Sequence, residues 1–225
     1  MKKFVLVLAL ALTGFAANAQ IKRPKLVVGI IIDQMRWDYL NYYYDQYCDG
    51  GFKRLINEGF SCDNNMINYL PTVTAIGHTS TYTGATPAIH GIAGNNFQID
   101  GKDVYCCKDT TVESVGSKNE AGRMSPCNLL STTIGDQIRL ATDFNSKVIG
   151  VALKDRAAIL PAGRSANAAY WYDTKAGKFV TSTYYMPQLP KWVNKFNGKI
   201  KIKPGTDPKM IPEGATMTFD LAEAT

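Results

Sequence analysis

Residues 25–33 read KLVVGIIID, an unbroken apolar run rich in valine and isoleucine that ends on a carboxylate. A strand with one wet face alternates apolar and polar residues. A strand with no polar position is buried on both faces and belongs to a parallel sheet covered by helices. The run therefore predicts a strand over Lys25–Asp33 and an α/β fold. In open α/β sheets the functional crevice lies beyond the carboxyl ends of the strands. Asp33 is thus placed where chemistry tends to sit, although an aspartate there can equally cap a following helix. A second run, Lys147–Leu153 (KVIGVAL), predicts another buried strand.

The segments between these runs alternate in period. Phe52, Leu55 and Ile56 share one helical face, which predicts a helix over Tyr39–Gly59 with Gly59 as its stop. Met66–Leu70 reads as a short strand. Pro71-Thr72-Val73-Thr74 turns into a helix that runs to Thr83-Gly84, with Thr74 near its first turn. Leu129–Thr142 reads as a further helix, with Ile134, Ile138, Leu140 and Ala141 on one side. Tyr170–Val180 resembles a hairpin around Ala176-Gly177. Lys191–Lys203 carries five lysines interleaved with Trp192 and Phe196. Such a run is more often a solvated amphipathic segment than a nucleic-acid or membrane-surface patch.

The amino terminus follows a different logic. Lys2 and Lys3 precede an apolar core, Phe4–Leu12, and Ala17-Asn18-Ala19 is a small-x-small cleavage pattern. This predicts a signal peptide over residues 1–19, cleaved near Ala19, and a periplasmic or secreted product from residue 20 onward. No later apolar run approaches the roughly 20 residues needed to span a bilayer, so no membrane span is expected. Export permits disulfides. The five cysteines, Cys48, Cys62, Cys106, Cys107 and Cys127, are odd in number, and none sits in a CxxC pair. Adjacent Cys106 and Cys107 are expected to have different partners. The formal charge of +6, from 25 Lys+Arg against 19 Asp+Glu, is mild and spread out, so it does not argue for nucleic acid. The two histidines, His78 and His90, cannot by themselves build a site that needs three or four imidazoles.

Three segments carry chemistry: Asp33 at its strand end, PTVTAIGHTS (71–80) with PAIHGIAGN (87–95), and LKDRAAILPAG (153–163) after the second strand. A hydroxyl at a helix N-terminus, as Thr74 would be, suits phosphoryl chemistry, because the helix dipole and unsatisfied N–H groups favour an anion there. A metal on that hydroxyl would lower its pKa, and Asp33 offers a hard oxygen ligand. Asn95 can donate to a phosphoryl oxygen. Lys154 and Arg156 alternate in sequence; on an extended backbone both would point to one side and suit a doubly charged phosphate monoester.

Together and in this order, these segments resemble the alkaline phosphatase superfamily. They are most similar to the bacterial exported, phosphate-irrepressible alkaline phosphatases that use a threonine nucleophile. The related nucleotide pyrophosphatase/phosphodiesterases share the Pro-Thr-x-Thr segment and the later His-Gly-Ile. The resemblance runs from about Lys25 to about Asn197. It implies an α/β/α sandwich with a mostly parallel central sheet. It also implies a zinc-dependent hydrolase of small phosphate monoesters that works through a phospho-threonine intermediate at a site of two zinc ions. By the same resemblance Asp33 is a zinc ligand, Thr74 is the nucleophile and touches the same zinc, and Asn95 contacts a phosphoryl oxygen. Lys154 and Arg156 become the cationic pair that favours monoesters over diesters. His78 and His90 match positions that are not ligands and read as buried imidazoles satisfied by backbone.

The family's site needs two more aspartates and about three histidines from the second half of a longer chain. Gly205–Thr225 looks compressed relative to the family and ends on what reads as a helix's first turn. The expectation is an N-terminal part of an alkaline phosphatase-like domain, incomplete at the C-terminus and inactive on its own. The alternatives are a non-catalytic phosphate-binding module and a phosphodiesterase. The formylglycine motif of the sulfatases, Cys/Ser-x-Pro-x-Arg, does not occur in the sequence.

Overall fold

The computed structural model describes residues 24–200. The signal peptide read over 1–19 and the stretch Gly205–Thr225 lie outside the described residues. The helices are α1 (Tyr39–Tyr42), α2 (Phe52–Glu58), α3 (Thr74–Thr83), α4 (Pro87–His90), α5 (Ile134–Ala141), α6 (Asp155–Ala162) and α7 (Lys191–Asn197). The strands are β1 (Asn96–Ile99), β2 (Lys102–Tyr105), β3 (Ser114–Val115), β4 (Ile149–Ala152), β5 (Ala168–Asp173) and β6 (Lys178–Ser182).

Strands β1 and β2 form a separate antiparallel hairpin, and the remaining four form one sheet in the order β3-β6-β5-β4. β4 and β5 run parallel, whereas β5–β6 and β3–β6 are antiparallel. A parallel pair needs a crossover, and α6 supplies it between β4 and β5. The β5–β6 hairpin turns through Ala176-Gly177 as its sequence predicts; Asp173 accepts the Lys175 and Ala176 N–H groups at 2.9 and 3.2 Å to close the turn.

β5 reads AAYWYD and is buried along its whole length. Its period of two sends Ala169 and Trp171 to one face, where they meet Ala75 of α3 and Ala158, Ile159 and Leu160 of α6. Ala168, Tyr170 and Tyr172 go to the other face, against Val193, Trp192 and Phe196 of α7. The sheet is thus covered by α3 and α6 on one side and α7 on the other. Each large side chain so buried, such as Phe179 at 2% exposure, stabilises the fold by about 1.5–3 kcal/mol.

Several elements depart from the sequence reading. Lys25–Asp33 forms no strand, and none of the described strands pairs with it. Val28 and Ile30 are 62% and 76% exposed. A ladder needs a neighbour on at least one edge, and the described strands offer none here. Gly29 lies so close to Tyr82 that a Cβ would meet its hydroxyl at 2.5 Å. Among the described strands β4 likewise pairs on one edge only, and its alternate residues are half exposed rather than buried on both faces. The helix predicted over Tyr39–Gly59 breaks between Tyr42 and Phe52, where Gly50-Gly51 intervenes and Gly51 adopts φ +60°. Met66–Leu70 carries no strand. The helix predicted from Leu129 begins at Ile134, because Thr133 and Asp136 form a reciprocal capping box that fixes the start.

The cysteines are all free: Cys106 and Cys107 are buried with sulfurs 3.9 Å apart, and Cys48, Cys62 and Cys127 are exposed. Cys106 and Cys107, expected to have different partners, are each unbridged. The lysine-rich stretch forms α7, which packs Trp192 and Phe196 edge-on against Tyr170 and Phe179 and leaves Lys191 and Lys195 exposed. Lys201 and Lys203 lie outside the described residues.

Candidate active site

α3 begins at Thr74, preceded by extended Val73, whose side chain cannot cap it. The first N–H groups of the helix must therefore find acceptors elsewhere. Asn95, at the foot of the β1–β2 hairpin, supplies one: its Oδ1 accepts the Ala75 N–H at 2.9 Å. A backbone donor requires the amide oxygen at that contact, which fixes the amide's orientation and leaves Nδ2 to donate elsewhere. Thr74 Oγ1 donates to Asp33 Oδ2 at 3.0 Å, across 41 residues of sequence. Three of the predicted site residues, Asp33, Thr74 and Asn95, therefore meet at one helix end.

His78 lies one turn along α3, buried beneath this group. Burial lowers its pKa below the usual imidazole range; the Asp33 charge and a bond to the Thr74 backbone oppose that, and the Arg156 charge adds to it. The ring thus feels the charges of both Asp33 and Arg156. His90 is fully buried, with Nδ1 accepting the Ile92 N–H at 3.1 Å and Nε2 2.9 Å from Ser80 Oγ. The first contact forces the proton onto Nε2, which donates to Ser80, so both ring nitrogens are occupied. Both histidines therefore serve packing.

The cationic pair is built differently from the expectation. Lys154 is the residue before α6, and the chain is already helical at Asp155 and Arg156, so Lys154 and Arg156 do not share one side of an extended strand. Lys154 is exposed, and its amine hydrogen-bonds no described residue. Arg156 is half-buried in the first turn of α6, where its Nη1 donates to Tyr105 Oη at 3.1 Å. Tyr105 Oη in turn donates to Asp155 Oδ1 at 2.6 Å. Arg156 Nε is buried with no protein partner. Tyr105 and Asp155 were not legible in the sequence. Asp155 sits inside the Lys-x-Arg motif without a spacing signal, and Tyr105 ends a strand only 4 residues long.

Asp33 and Thr74 bring two hard oxygen donors together, a donor type that divalent cations take. Zinc sites take three or four protein ligands. Among the described residues no group of three His, Cys, Asp or Glu is placed to hold a metal.

A threonine at a helix start beside an aspartate, with an asparagine on the first free N–H, is one local geometry; its family follows from the whole chain. Residues 27–223 match the family model for type I phosphodiesterase/nucleotide pyrophosphatase. The chain belongs to that family. The match runs past Asn197, where the resemblance read from the motifs was expected to fade.

Among curated relatives in or near this family, alkaline phosphatase PhoV of Synechococcus elongatus is 60% identical over 182 residues, covering 80% of this chain and 33% of its own length. Alkaline phosphatase PafA of Elizabethkingia meningoseptica is 58% identical over 198 residues, covering 87% of this chain and 36% of its own. A Myroides odoratus protein named as a calcium-transporting ATPase is 60% identical over 183 residues. The chain thus spans about a third of the length of these relatives. The wild-type PafA crystal structure superposes with a TM-score of 0.78 at 59% identity, over 80% of this chain and 35% of that one. The α/β fold of the described residues is therefore that of this alkaline phosphatase. A PafA variant altered at one threonine, one asparagine, one lysine and one arginine superposes with a TM-score of 0.79.

Proposed function

We propose that this chain supplies the nucleophile and the phosphate grip of an exported, zinc-dependent phosphomonoesterase that works through a phospho-threonine intermediate. The observation that carries this reading is Thr74 at the N-terminus of α3, hydrogen-bonded to Asp33 and flanked by Asn95 on the Ala75 N–H. The four residue types altered together in the PafA variant support it. The threonine–asparagine and lysine–arginine separations in that variant equal those of Thr74–Asn95 and Lys154–Arg156 here.

In this reading the phosphoryl group lies over the start of α3. The helix end presents about half a positive charge and unsatisfied N–H donors to it. Asn95 Nδ2 donates to one phosphoryl oxygen, and the Arg156 guanidinium and Lys154 ammonium balance the dianion. With its hydrogen directed at Asp33, Thr74 Oγ1 keeps lone pairs for phosphorus. Thr74 Oγ1 bonds to phosphorus as the ester P–O bond breaks in line; its hydroxyl proton leaves by way of Asp33 to solvent, and the leaving oxygen takes a proton from solvent. Water then attacks the phospho-threonine, releasing phosphate and restoring the hydroxyl. A zinc ion held by Asp33 and Thr74, with ligands from beyond the described residues, would lower the hydroxyl's pKa and offset charge on the oxygens. Arg156 and Lys154 favour the dianionic monoester over a singly charged diester.

The test is a chimera in which residues 24–200 replace the matching segment of the Elizabethkingia phosphatase. Zinc-dependent monoester hydrolysis lost on Thr74→Ala is expected. A folded, active chimera indifferent to Thr74→Ala would overturn the reading.

A further inference from the structure

We infer that Tyr105 is a positioning residue for Arg156, and that the β1–β2 hairpin sets Arg156 against Asn95 across the phosphate site. The inference rests on the reading of Arg156 as a phosphate contact and adds to it what aims the guanidinium.

Asn95 immediately precedes β1, and Tyr105 ends β2. The register pairs Asn96 with Tyr105, and the Cys106 N–H donates to the Asn95 carbonyl at 3.0 Å. Asn95 therefore lies opposite Cys106 and one position diagonal from Tyr105, at the same open end of the hairpin. From there they diverge. Asn95 reaches the first turn of α3, and Tyr105 reaches the first turn of α6.

At α6 the bonds run in one direction. Arg156 Nη1 donates to Tyr105 Oη at 3.1 Å, and the phenol O–H donates to Asp155 Oδ1 at 2.6 Å. Asp155 Oδ1 is itself pinned by the Arg156 backbone N–H at 2.8 Å. The phenol must keep its proton for this relay. Burial and the neighbouring Asp155 charge both push its pKa up, so it does. The Tyr105 ring packs against the main core cluster, which anchors the hydroxyl.

The guanidinium is thereby tied at one nitrogen only. Its Nε is buried and bonded to no protein atom. A buried donor left unpaired is costly, so the Nε–H is open to an acceptor that the described residues do not supply. A phosphoryl oxygen has the required charge and geometry for an arginine held at one corner. Without the Tyr105 hydroxyl the long side chain regains its torsional freedom, and the Nε–H loses its aim.

The test uses the 225-residue chain labelled with nitrogen-15 and titrated with inorganic phosphate, following the Arg156 Nε–H resonance, assigned through Arg156→Lys. In the unaltered protein phosphate shifts that resonance. In Tyr105→Phe the resonance is displaced before phosphate is added, and phosphate binds about tenfold more weakly, as expected for one lost bond to a charged group. In the Arg156→Lys background Tyr105→Phe has no further effect on phosphate. Asp155→Asn, which keeps the side-chain shape, gives the same displacement and covers the case of a poorly folded phenylalanine variant. The inference is overturned if Tyr105→Phe leaves the Arg156 resonance and phosphate affinity unchanged, or weakens phosphate equally when Arg156 is absent. If phosphate moves no Arg156 resonance while Tyr105→Phe still displaces it, the phosphate contact fails and the positioning of Arg156 stands.

Discussion

Asp136→Ala removes a buried carboxylate that no described cation pairs with and that lives on hydrogen bonds alone. Asp136 is 2% exposed. Its Oδ2 accepts the Thr133 N–H at 2.8 Å and the Arg164 N–H at 3.3 Å, and its Oδ1 accepts the Ser165 N–H at 2.7 Å and Ser165 Oγ at 2.6 Å. It ties the start of α5 to the chain leaving α6, and so holds the helix that carries Arg156. Each backbone N–H left buried without a partner costs about 1–3 kcal/mol, and losing the capping box costs about 1 kcal/mol. These costs overlap, so a net loss of roughly 3–5 kcal/mol is expected from a total of about 5–15 kcal/mol. Burial pushes the Asp136 pKa up, but the bonds from Ser165, Thr133 and Arg164 outweigh it and hold the carboxyl below its usual value of 3.8. A depressed folded pKa contributes stability that is present above the unfolded value and lost as pH falls through the folded one. The stability gap between the native protein and the isosteric Asp136→Asn variant should therefore be full at pH 7 and narrow below about pH 4. Urea unfolding at both pH values measures it. An Asp136→Ala loss under about 1 kcal/mol at pH 7, or an Asp136→Asn gap independent of pH, would refute the reasoning.

Other expectations follow from the same geometry. Gly163 adopts φ +86°, and a Cβ there would overlap Asp136 Oδ2 and Thr133 Oγ1; Gly163→Ala should destabilise by about 3 kcal/mol or more in thermal unfolding. In the Elizabethkingia chimera, Lys154→Ala or Arg156→Ala should lower monoester turnover at least about tenfold while leaving diester turnover less affected; intact monoester turnover would remove both cations from the grip. The 225-residue chain alone should compete poorly with a chelator for zinc and hydrolyse monoesters negligibly. Both of its histidines are engaged in packing bonds; turnover comparable to the relatives and abolished by Thr74→Ala would contradict this.

The motif placed Thr74 at a helix start and beside Asp33 and Asn95 more closely than the periodicities placed the element boundaries. Thr74 falls at the start of α3 as PTVTAIGHTS predicts, because proline and β-branched residues keep the chain extended up to the helix. The β5–β6 hairpin was likewise legible, because turn chemistry and alternation are local. Lys25–Asp33 was misread as a paired strand because pairing is not local: an apolar run states what it must bury against only when its neighbours are present. The Lys154–Arg156 geometry was misread for a related reason. Period two holds only while the chain stays extended, and it turns helical at Asp155. Tyr105 was invisible because its role comes from a register across the hairpin and a contact spanning 51 residues.

The most direct test of the account is the location of the phosphoryl group during turnover. A chimera carrying residues 24–200, mixed with a phosphate monoester and quenched in acid, should yield one phosphorylated peptide, with the modification on Thr74. Turnover with the phosphoryl group on another residue, or undiminished in Thr74→Ala, would contradict it.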